Sequence, residues 1–221
     1  IWGNLDETNY DDSEIFSLST YRSESFTKHS IDDNYDEAQS VFAIDLDSDG
    51  DVDVLGASKG DTLISWWENH GNESFTEHTI DSSAGWARDV FAIDMDGDGD
   101  IDVLSCDSDG DDINLWLNDG SESFTRKYVT YDFNGVISIF PIDLDGDGDL
   151  DVLGAAEYDN EIAWFENDGS ESFTEHTIQS GYSAAFSVHA ADVDGDGDID
   201  VLGTAFEADD ITWWENDGSE S

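Results

Sequence analysis

The chain has 221 residues, of which 56 are acidic and only 6 are Lys or Arg, so its formal net charge at neutral pH is −50. A charge of this size and sign repels nucleic acids and anionic membranes, and no apolar run is long enough for membrane insertion, so both classes of partner are excluded. Cys106 is the only cysteine and cannot form an intrachain disulfide, whereas eight Trp and twelve Phe can build a core.

In chain order, residues 1–20 are a degenerate half-repeat, and four regular repeats follow at about 21–70, 71–119, 120–168 and 169–221. Each regular repeat opens with a Phe-Thr segment that alternates as a strand does, at 26–31, 75–80, 124–129 and 173–178. A variable loop, an apolar strand, an aspartate-rich loop, a second strand, an aromatic strand and an Asn-Asp-Gly or Asn-His-Gly turn complete the repeat. No segment has a helical pattern.

The aspartate-rich loops read DxDxDGDxD, and their first residues lie at 45, 94, 143 and 192, always 49 residues apart. Hard divalent cations take six to eight oxygen ligands, and Ca²⁺ accepts many protein oxygens from one loop. Aspartates at loop positions 1, 3, 5 and 9 can point inward, while position 7 can offer its backbone carbonyl. The predicted metal residues are Asp45, Asp47, Asp49, Asp51, Asp53, Asp94, Asp96, Asp98, Asp100, Asp102, Asp143, Asp145, Asp147, Asp149, Asp151, Asp192, Asp194, Asp196, Asp198 and Asp200.

These loops have two alternative interpretations. An EF-hand needs Glu at loop position 12 and flanking helices, but position 12 is Gly56, Ser105, Gly154 and Gly203, and the flanks are β-like. Ordinary acidic turns are the simpler alternative. Four copies in register favour metal, since closely packed aspartates repel one another unless a cation lies among them. We therefore expect about four structural Ca²⁺ ions per chain, one in each of the four loops.

A repeat of 49 residues with four short strands has the size of a propeller blade, so we predict an all-β fold with a single β-propeller domain over residues 1–221. Five blades are favoured, with residues 1–31 as a degenerate three-stranded blade. Two alternatives stay open. In the first, the chain has four blades and residues 26–31 complete the last one. In the second, the chain is part of a larger ring that a second copy of the chain completes as a homo-oligomer.

The runs Ile142-Asp-Leu-Asp-Gly-Asp-Gly-Asp-Leu-Asp-Val-Leu-Gly-Ala155 and Ile162-Ala-Trp-Phe-Glu-Asn-Asp-Gly169 resemble FG-GAP/VCBS-type repeats, the family that includes the propellers of integrin α-subunits. The resemblance covers about residues 15–221. It implies a β-propeller with calcium in the hairpin loop between the first two strands of each blade. It implies adhesion or carbohydrate contact only loosely, because a fold does not fix a function.

Aromatic residues in the variable loops are candidates for gripping a glycan, since rim loops are common binding sites; these are Trp86, Tyr35, Phe133 and Tyr182. Packing of the loops is the simpler explanation. His29, His78 and His176 recur at one strand position, which favours a structural role. No nucleophile–base arrangement is evident, so we expect no enzyme activity.

Together these features predict a secreted or cell-surface, calcium-stabilised module that recognises a carbohydrate or an extracellular protein through its rim loops. The high acidic charge suits a calcium-rich extracellular medium, where salt screens self-repulsion. A purely structural, self-assembling repeat unit is one alternative. A non-catalytic part of a polysaccharide-acting enzyme is another.

Overall fold

The fold is taken from a computed structural model, which describes residues 25–218. These residues form fifteen strands in four antiparallel sheets. Sheet 1 contains β1 (Ala38–Ile44), β2 (Asp53–Ser58), β3 (Leu63–Asn69) and β4 (Phe75–Asp81). Sheet 2 contains β5 (Ala87–Ile93), β6 (Asp102–Asp107), β7 (Asp112–Asn118) and β8 (Phe124–Thr130).

Sheet 3 contains β9 (Val136–Ile142), β10 (Asp151–Ala156), β11 (Glu161–Asn167) and β12 (Phe173–Ser180). Sheet 4 contains β13 (Ala185–Ala191), β14 (Asp200–Ala205) and β15 (Asp210–Trp214). Within every sheet the strands pair in chain order, so each sheet is a meander. Among residues 25–218, no helix has the length and apolar character needed to cross a membrane.

The sheets are stacked face to face in chain order, because the strands carry apolar residues on both faces. One buried cluster lies between each sheet and the next, with Ile64 and Val90 in the first, Ile113 and Ile139 in the second, and Ile162 and Val188 in the third. All six of these side chains are at most 5% exposed. The second strands of the two internal sheets, β6 and β10, are buried throughout, because a neighbouring sheet packs on each of their faces.

The first strands of successive sheets lie side by side: β1 contacts β5, β5 contacts β9, and β9 contacts β13. Rings at one repeated position run across these strands. The centroids of Phe42 and Phe91 are 4.6 Å apart, those of Phe91 and Phe140 are 5.7 Å apart, and those of Phe140 and His189 are 4.3 Å apart. This row of ring contacts across the first strands helps to hold the four sheets against one another.

The predicted all-β fold of repeated four-stranded units is confirmed. The sheets are offset from the sequence repeats, because the Phe-Thr segment ends a sheet rather than opening one. At residues 26–31 the structure differs from the expected strand. Residues 25–31 have no regular secondary structure, and the side chain of Phe26 is 94% exposed. The degenerate half-repeat at 1–20, on which the five-blade count depends, lies outside the described residues.

Candidate metal centre

Each aspartate-rich loop connects the first two strands of its sheet, so the four loops occupy equivalent places at the ends of β1, β5, β9 and β13. In every loop the structure brings together the carboxylates of positions 1, 3 and 9, with one ligand oxygen from each within 4.8 Å of the others. The four groups are Asp45, Asp47 and Asp53; Asp94, Asp96 and Asp102; Asp143, Asp145 and Asp151; and Asp192, Asp194 and Asp200.

The aspartate at position 9 fixes the loop to the rest of the sheet. Asp102 is 1% exposed, and its Oδ1 accepts a hydrogen bond from the backbone N–H of Asn118 at 2.8 Å. Its Oδ2 accepts another from the backbone N–H of Met95 at 2.9 Å. The same pair of bonds forms at Asp53, Asp151 and Asp200. Position 9 therefore joins the loop to the end of the third strand and presents a preoriented carboxylate.

The aspartate at position 1 curls the loop around itself. Asp94 Oδ1 accepts from the backbone N–H of Gly97 at 2.9 Å, and its Oδ2 accepts from that of Gly99 at 3.1 Å. In the first loop, Asp45 Oδ1 is buried without a hydrogen-bond partner. A buried carboxylate oxygen with no donor costs free energy, and a cation among the three carboxylates would compensate it. The residues present therefore fit a hard divalent cation.

Positions 5 and 7 are placed differently from positions 1, 3 and 9. Asp98 Oδ1 accepts a hydrogen bond from the backbone N–H of Asp100 at 2.9 Å, and the carboxylate of Asp100 faces the turn at Gly120. Neither carboxylate joins the group of converging oxygens. The residues at these two positions are Asp49, Asp98, Asp147 and Asp196, and Asp51, Asp100, Asp149 and Asp198.

The electrostatics of the clusters also favour a cation. Burial, reinforced by the neighbouring loop carboxylates, raises the pKa of Asp102 to about 6 and that of Asp151 to about 6. Desolvation first, and repulsion from adjacent aspartates next, also raise the pKa of Asp96, Asp145 and Asp194. A bound dication would favour the ionised form of each group, because it replaces repulsion among the carboxylates by attraction.

Sequence reasoning treated the Asn-Asp-Gly segment only as a turn and missed its part in the site. The Nδ2 of Asn118 donates to the carbonyl oxygen of Ile101, inside the aspartate loop, at 3.1 Å. Its Oδ1 accepts from the backbone N–H of Gly120 at 3.2 Å. Asn69, Asn167 and Asn216 make the equivalent bonds. The available signal was the recurrence of Asn at the same 49-residue step as the aspartates.

The loop aromatics named from the sequence divide into packed and exposed side chains. Phe133 and Tyr182 are 1% and 7% exposed, and each packs edge-on against an aromatic ring of the sheet that follows it. Tyr35 packs likewise on Trp67, and its hydroxyl donates to the carbonyl oxygen of Gly56 at 2.8 Å. Trp86 stays 44% exposed, with the Lys59 ammonium 4.3 Å from its ring centroid.

Further exposed aromatics accompany Trp86 on the edge of the sheets opposite the aspartate loops. Their side chains belong to the loops that lead into first strands, to the turns between second and third strands, and to the start of β13. They are Tyr131, Tyr158, Phe186 and Phe206. The sequence indicated this edge through Trp86, but it did not single out these residues, because exposure depends on the packing of neighbouring turns.

The repeated histidines have structural partners. His78 stacks on Trp66 with ring centroids 4.6 Å apart, and its Nε2 lies 2.9 Å from Glu68 Oε2. His176 stacks on Trp164 and lies 2.7 Å from Glu166 in the same way. Burial raises the pKa of the Cys106 thiol well above its usual range, so this buried cysteine is held as an unreactive thiol.

Comparison with solved structures shows the same fold in distant proteins. An Agrocybe aegerita lectin, solved for its specific recognition of non-reducing terminal N-acetylglucosamine, is 19% identical with a TM-score of 0.52, over 74% of this chain and 46% of the lectin. Virginiamycin B lyase from Staphylococcus aureus is 12% identical with a TM-score of 0.53, over 84% of this chain and 57% of the enzyme. The catalytically inactive form of this enzyme with quinupristin is 14% identical with a TM-score of 0.54, over 86% of this chain and 59% of the enzyme.

At these identities the similarity shows the fold alone, and this chain spans about half the length of the structures it matches. No curated protein matches the sequence significantly. The sequence model of the FG-GAP-like repeat matches three overlapping stretches, residues 45–105, 94–154 and 143–203. Each stretch runs from one aspartate loop through the next. The chain therefore belongs to the FG-GAP-like repeat family and has the β-propeller type of fold.

Proposed function

We propose that the four aspartate clusters each hold one Ca²⁺ and that these ions stabilise the sheets of a binding module. The observation that carries the proposal is the convergence of three carboxylates in each of the four equivalent loops. Bound calcium would supply charge neutralisation and cross-linking within each loop. The chain's own contribution is the buried position-9 aspartate, which holds the loop to the third strand, and the position-1 aspartate, which curls it.

Thermal unfolding of a double variant tests this role. Asp94→Asn with Asp96→Asn removes two of the three converging carboxylates of the second loop. We expect the rise in Tm between excess EDTA and millimolar calcium to shrink by about a quarter or more, since one of four sites is lost. Asp132→Asn, at an exposed loop aspartate, is the control. An equal calcium-induced rise in all three proteins would contradict the proposal.

We further propose that the edge opposite the calcium loops binds a glycan. Support comes from the exposed aromatic side chains Trp86, Tyr131 and Tyr158, which offer flat apolar faces among acidic hydrogen-bond acceptors. An extracellular protein partner is the other ligand class for such a surface, and an extracellular location would provide the calcium. The fold similarity to a lectin is consistent with glycan binding but carries no ligand identity.

A glycan array in calcium tests the sugar-binding proposal, followed by titration of any hit against two variants. Trp86→Ala should weaken binding by about tenfold or more, because truncating an aromatic anchor that ligand binding buries typically costs more than about 1 kcal/mol of binding free energy. Val193 is an exposed apolar residue of the fourth aspartate loop, on the opposite edge from Trp86. Val193→Ala should therefore leave the glycan affinity unchanged. An array without hits, or equal affinity in both variants, would leave protein recognition as the better proposal.

Catalysis is not part of the proposal. The recurring histidines are engaged in stacking and ion pairing, which supports a structural role for them. Turnover of a polysaccharide by the purified chain, abolished by substitutions on the aromatic edge and retained in calcium-loop variants, would overturn this part of the account.

A further inference from the structure

The aromatic edge also gathers acidic side chains where it meets sheet 3. The loop 131–135 leads into β9, and the turn 157–160 connects β10 to β11. The two segments are bonded together, because the backbone N–H of Asn134 donates to Asp159 Oδ2 at 2.6 Å and that of Tyr158 donates to the carbonyl oxygen of Asn134 at 3.3 Å. With β11 and β12 they form a tyrosine–acid patch of six residues, which are Tyr131, Asp132, Tyr158, Asp159, Glu161 and Glu175.

The acidic side chains of this patch repel one another. Desolvation first, and repulsion from three other carboxylates next, raise the pKa of Glu175. These three carboxylates are Glu161, Asp132 and Asp159. In addition, Glu161 Oε1 is buried and has no hydrogen-bond partner within residues 25–218. A carboxylate oxygen of this kind costs free energy, which a cation beside the carboxylate would offset.

Sheet 2 shows the same place with a cation that the chain itself supplies. One repeat before Glu161 and Glu175 the residues are Asp112 and Arg126. Arg126 Nη2 lies 3.0 Å from Asp112 Oδ2, and the guanidinium carbon lies 4.4 Å from the ring centroid of Tyr128. Sheet 3 therefore keeps the acid of this ion pair and has a second acid in place of the base.

Exposed aromatic rings near this edge already carry cations of the chain. Besides Arg126 over Tyr128, the Lys59 ammonium lies 4.3 Å from the ring centroid of Trp86. No Lys or Arg of residues 25–218 lies over the rings of Tyr131 and Tyr158, which are 76% and 52% exposed. An aromatic face attracts a cation through its quadrupole, so these two rings can take one from a ligand.

The spacing of the carboxylates excludes a small metal ion from the patch. A hard dication needs several oxygens that converge on one point. In the part of the chain that the structure describes, three such oxygens lie within 4.8 Å of one another only in the aspartate loops. The patch therefore fits a larger, organic cation. A polyanionic ligand is excluded as well, because the net charge of −50 repels it.

We propose that the glycan bound at the aromatic edge is an amino sugar oligomer whose amino groups are unsubstituted and positively charged. One ammonium lies between Glu161 and Glu175, in the place that the Arg126 guanidinium occupies in sheet 2. Sugar rings lie on Tyr131 and Tyr158. This assignment rests on the glycan binding proposed above and names the class of glycan. Hydrogen bonds from a charged donor to the carboxylates hold the ammonium, and an N-acetyl group, which is uncharged, cannot replace it.

Calorimetric titration of two matched ligands tests the charge of the sugar. One is an oligosaccharide of glucosamine with free amino groups, and the other is the same oligosaccharide fully N-acetylated. In calcium, at a mildly acidic pH that keeps the amino groups charged, the free-amine form should bind at least about tenfold more tightly. Equal affinities, or tighter binding of the N-acetylated form, would overturn the assignment and leave glycan binding intact.

The glycan array separates the two levels of the account. A hit among neutral or anionic glycans, without binding of the free-amine oligosaccharide, would overturn the amino sugar and keep the glycan proposal. An array without any hit would remove both. Tighter binding of a lysine-rich peptide than of the oligosaccharide would make a cationic protein the better partner and would likewise overturn the assignment.

Glu175→Arg tests the position of the ammonium, because it rebuilds in sheet 3 the ion pair of sheet 2 and fills the place with a guanidinium. It should weaken binding of the free-amine form by about tenfold or more and abolish the preference over the N-acetylated form. Glu122→Arg makes the same change of charge at an exposed turn on the calcium-loop edge and should keep the preference. Equal losses in the two variants would show that net charge governs binding, which would overturn the site.

Tyr131→Ala tests the aromatic part of the patch. It removes a ring and no charge, so it should weaken both forms of the oligosaccharide by a similar factor, about tenfold, and keep the preference for the free amine. Far-ultraviolet circular dichroism checks that every variant folds. Unchanged affinity of Tyr131→Ala for both forms would contradict the placement of sugar rings on this tyrosine.

Discussion

At the scale of single residues, the fourth position of the aspartate loop distinguishes the first loop from the others. Ser48 has a φ of +63°, and the glycines at the same position, Gly97, Gly146 and Gly195, have φ values between 74° and 82°. A non-glycine residue in this left-handed region costs about 1 kcal/mol. The partnerless Asp45 Oδ1 lies in this same loop.

Ser48→Gly is therefore expected to stabilise the chain by about 0.5–1 kcal/mol, net of the added entropy of the unfolded chain. Denaturant unfolding at fixed calcium concentration measures the change. Ser83→Gly, at a loop serine whose φ is not positive, is the matched control and should be neutral or destabilising. A loss of stability on Ser48→Gly would contradict this expectation, because it would mean that the Ser48 side chain stabilises the loop by more than its strained backbone costs.

Two aspartates of the second loop should respond differently to loss of the same charge. Asp96 contributes to the group of converging oxygens, whereas the carboxylate of Asp100 faces the turn at Gly120. Asp96→Asn should lower the calcium affinity of this loop by about tenfold or more, and Asp100→Asn by clearly less. Isothermal titration calorimetry on both variants makes the comparison. Equal losses would show that charge alone, and not ligand position, governs binding.

At the scale of an element, the Asn-Asp-Gly turn is a part of the aspartate loop rather than a simple connection. Asn118 is 6% exposed and bonds both to the loop carbonyl of Ile101 and to the N–H of Gly120. Asn118→Ala leaves these groups without their partners and should cost about 1–3 kcal/mol. The loss should persist in EDTA, because these bonds do not require the ion. Chemical denaturation measures the loss, with Asn134→Ala at an exposed loop position as the control. Equal stability of the two variants would contradict the role of Asn118 in holding the aspartate loop.

The buried carboxylates of the loops set a dependence of stability on pH. The folded-state pKa values of Asp102 and Asp151, about 6, lie above the ordinary value of 3.8. The stability that these groups contribute is fully present below pH 3.8 and is lost as the pH rises through about 6. In EDTA the Tm should therefore be higher at pH 5 than at pH 7.

Calcium should reverse this trend, because it binds the ionised carboxylates. The calcium-induced rise in Tm should consequently be larger at pH 7 than at pH 5. Melting curves at both pH values, each with EDTA and with calcium, measure both effects. A Tm in EDTA that increases from pH 5 to pH 7 would contradict the assignment of raised pKa values to the loops.

At the scale of the whole molecule, the sequence predicted the sheets well because apolar alternation and the 49-residue step act through local geometry and repetition. It placed the aspartate loops between the first and second strands, where they lie. It expected positions 1, 3, 5 and 9 to point inward, but it did not predict that position 5 would stay outside the group of converging carboxylates. That depends on backbone turns at Gly97 and Gly99 and on the bond from Asn118 to Asp102, which no spacing rule contains.

The ends of the stack were also beyond the sequence. Val41 and Ile211 have the same residue types as their buried equivalents, so only the packing of whole sheets reveals that they are exposed. The segment 26–31 illustrates the same limit. It has the alternating pattern of a strand, yet residues 25–31 have no regular secondary structure, so the pattern alone does not decide strand formation.

The number of Ca²⁺ ions bound per chain, measured by equilibrium dialysis at neutral pH, tests the central claim most directly. The account predicts four ions per chain, one for each group of converging carboxylates, and three for the Asp94→Asn/Asp96→Asn variant. Binding of no calcium, or an unchanged number in the variant, would contradict it and leave the aspartate loops as acidic turns.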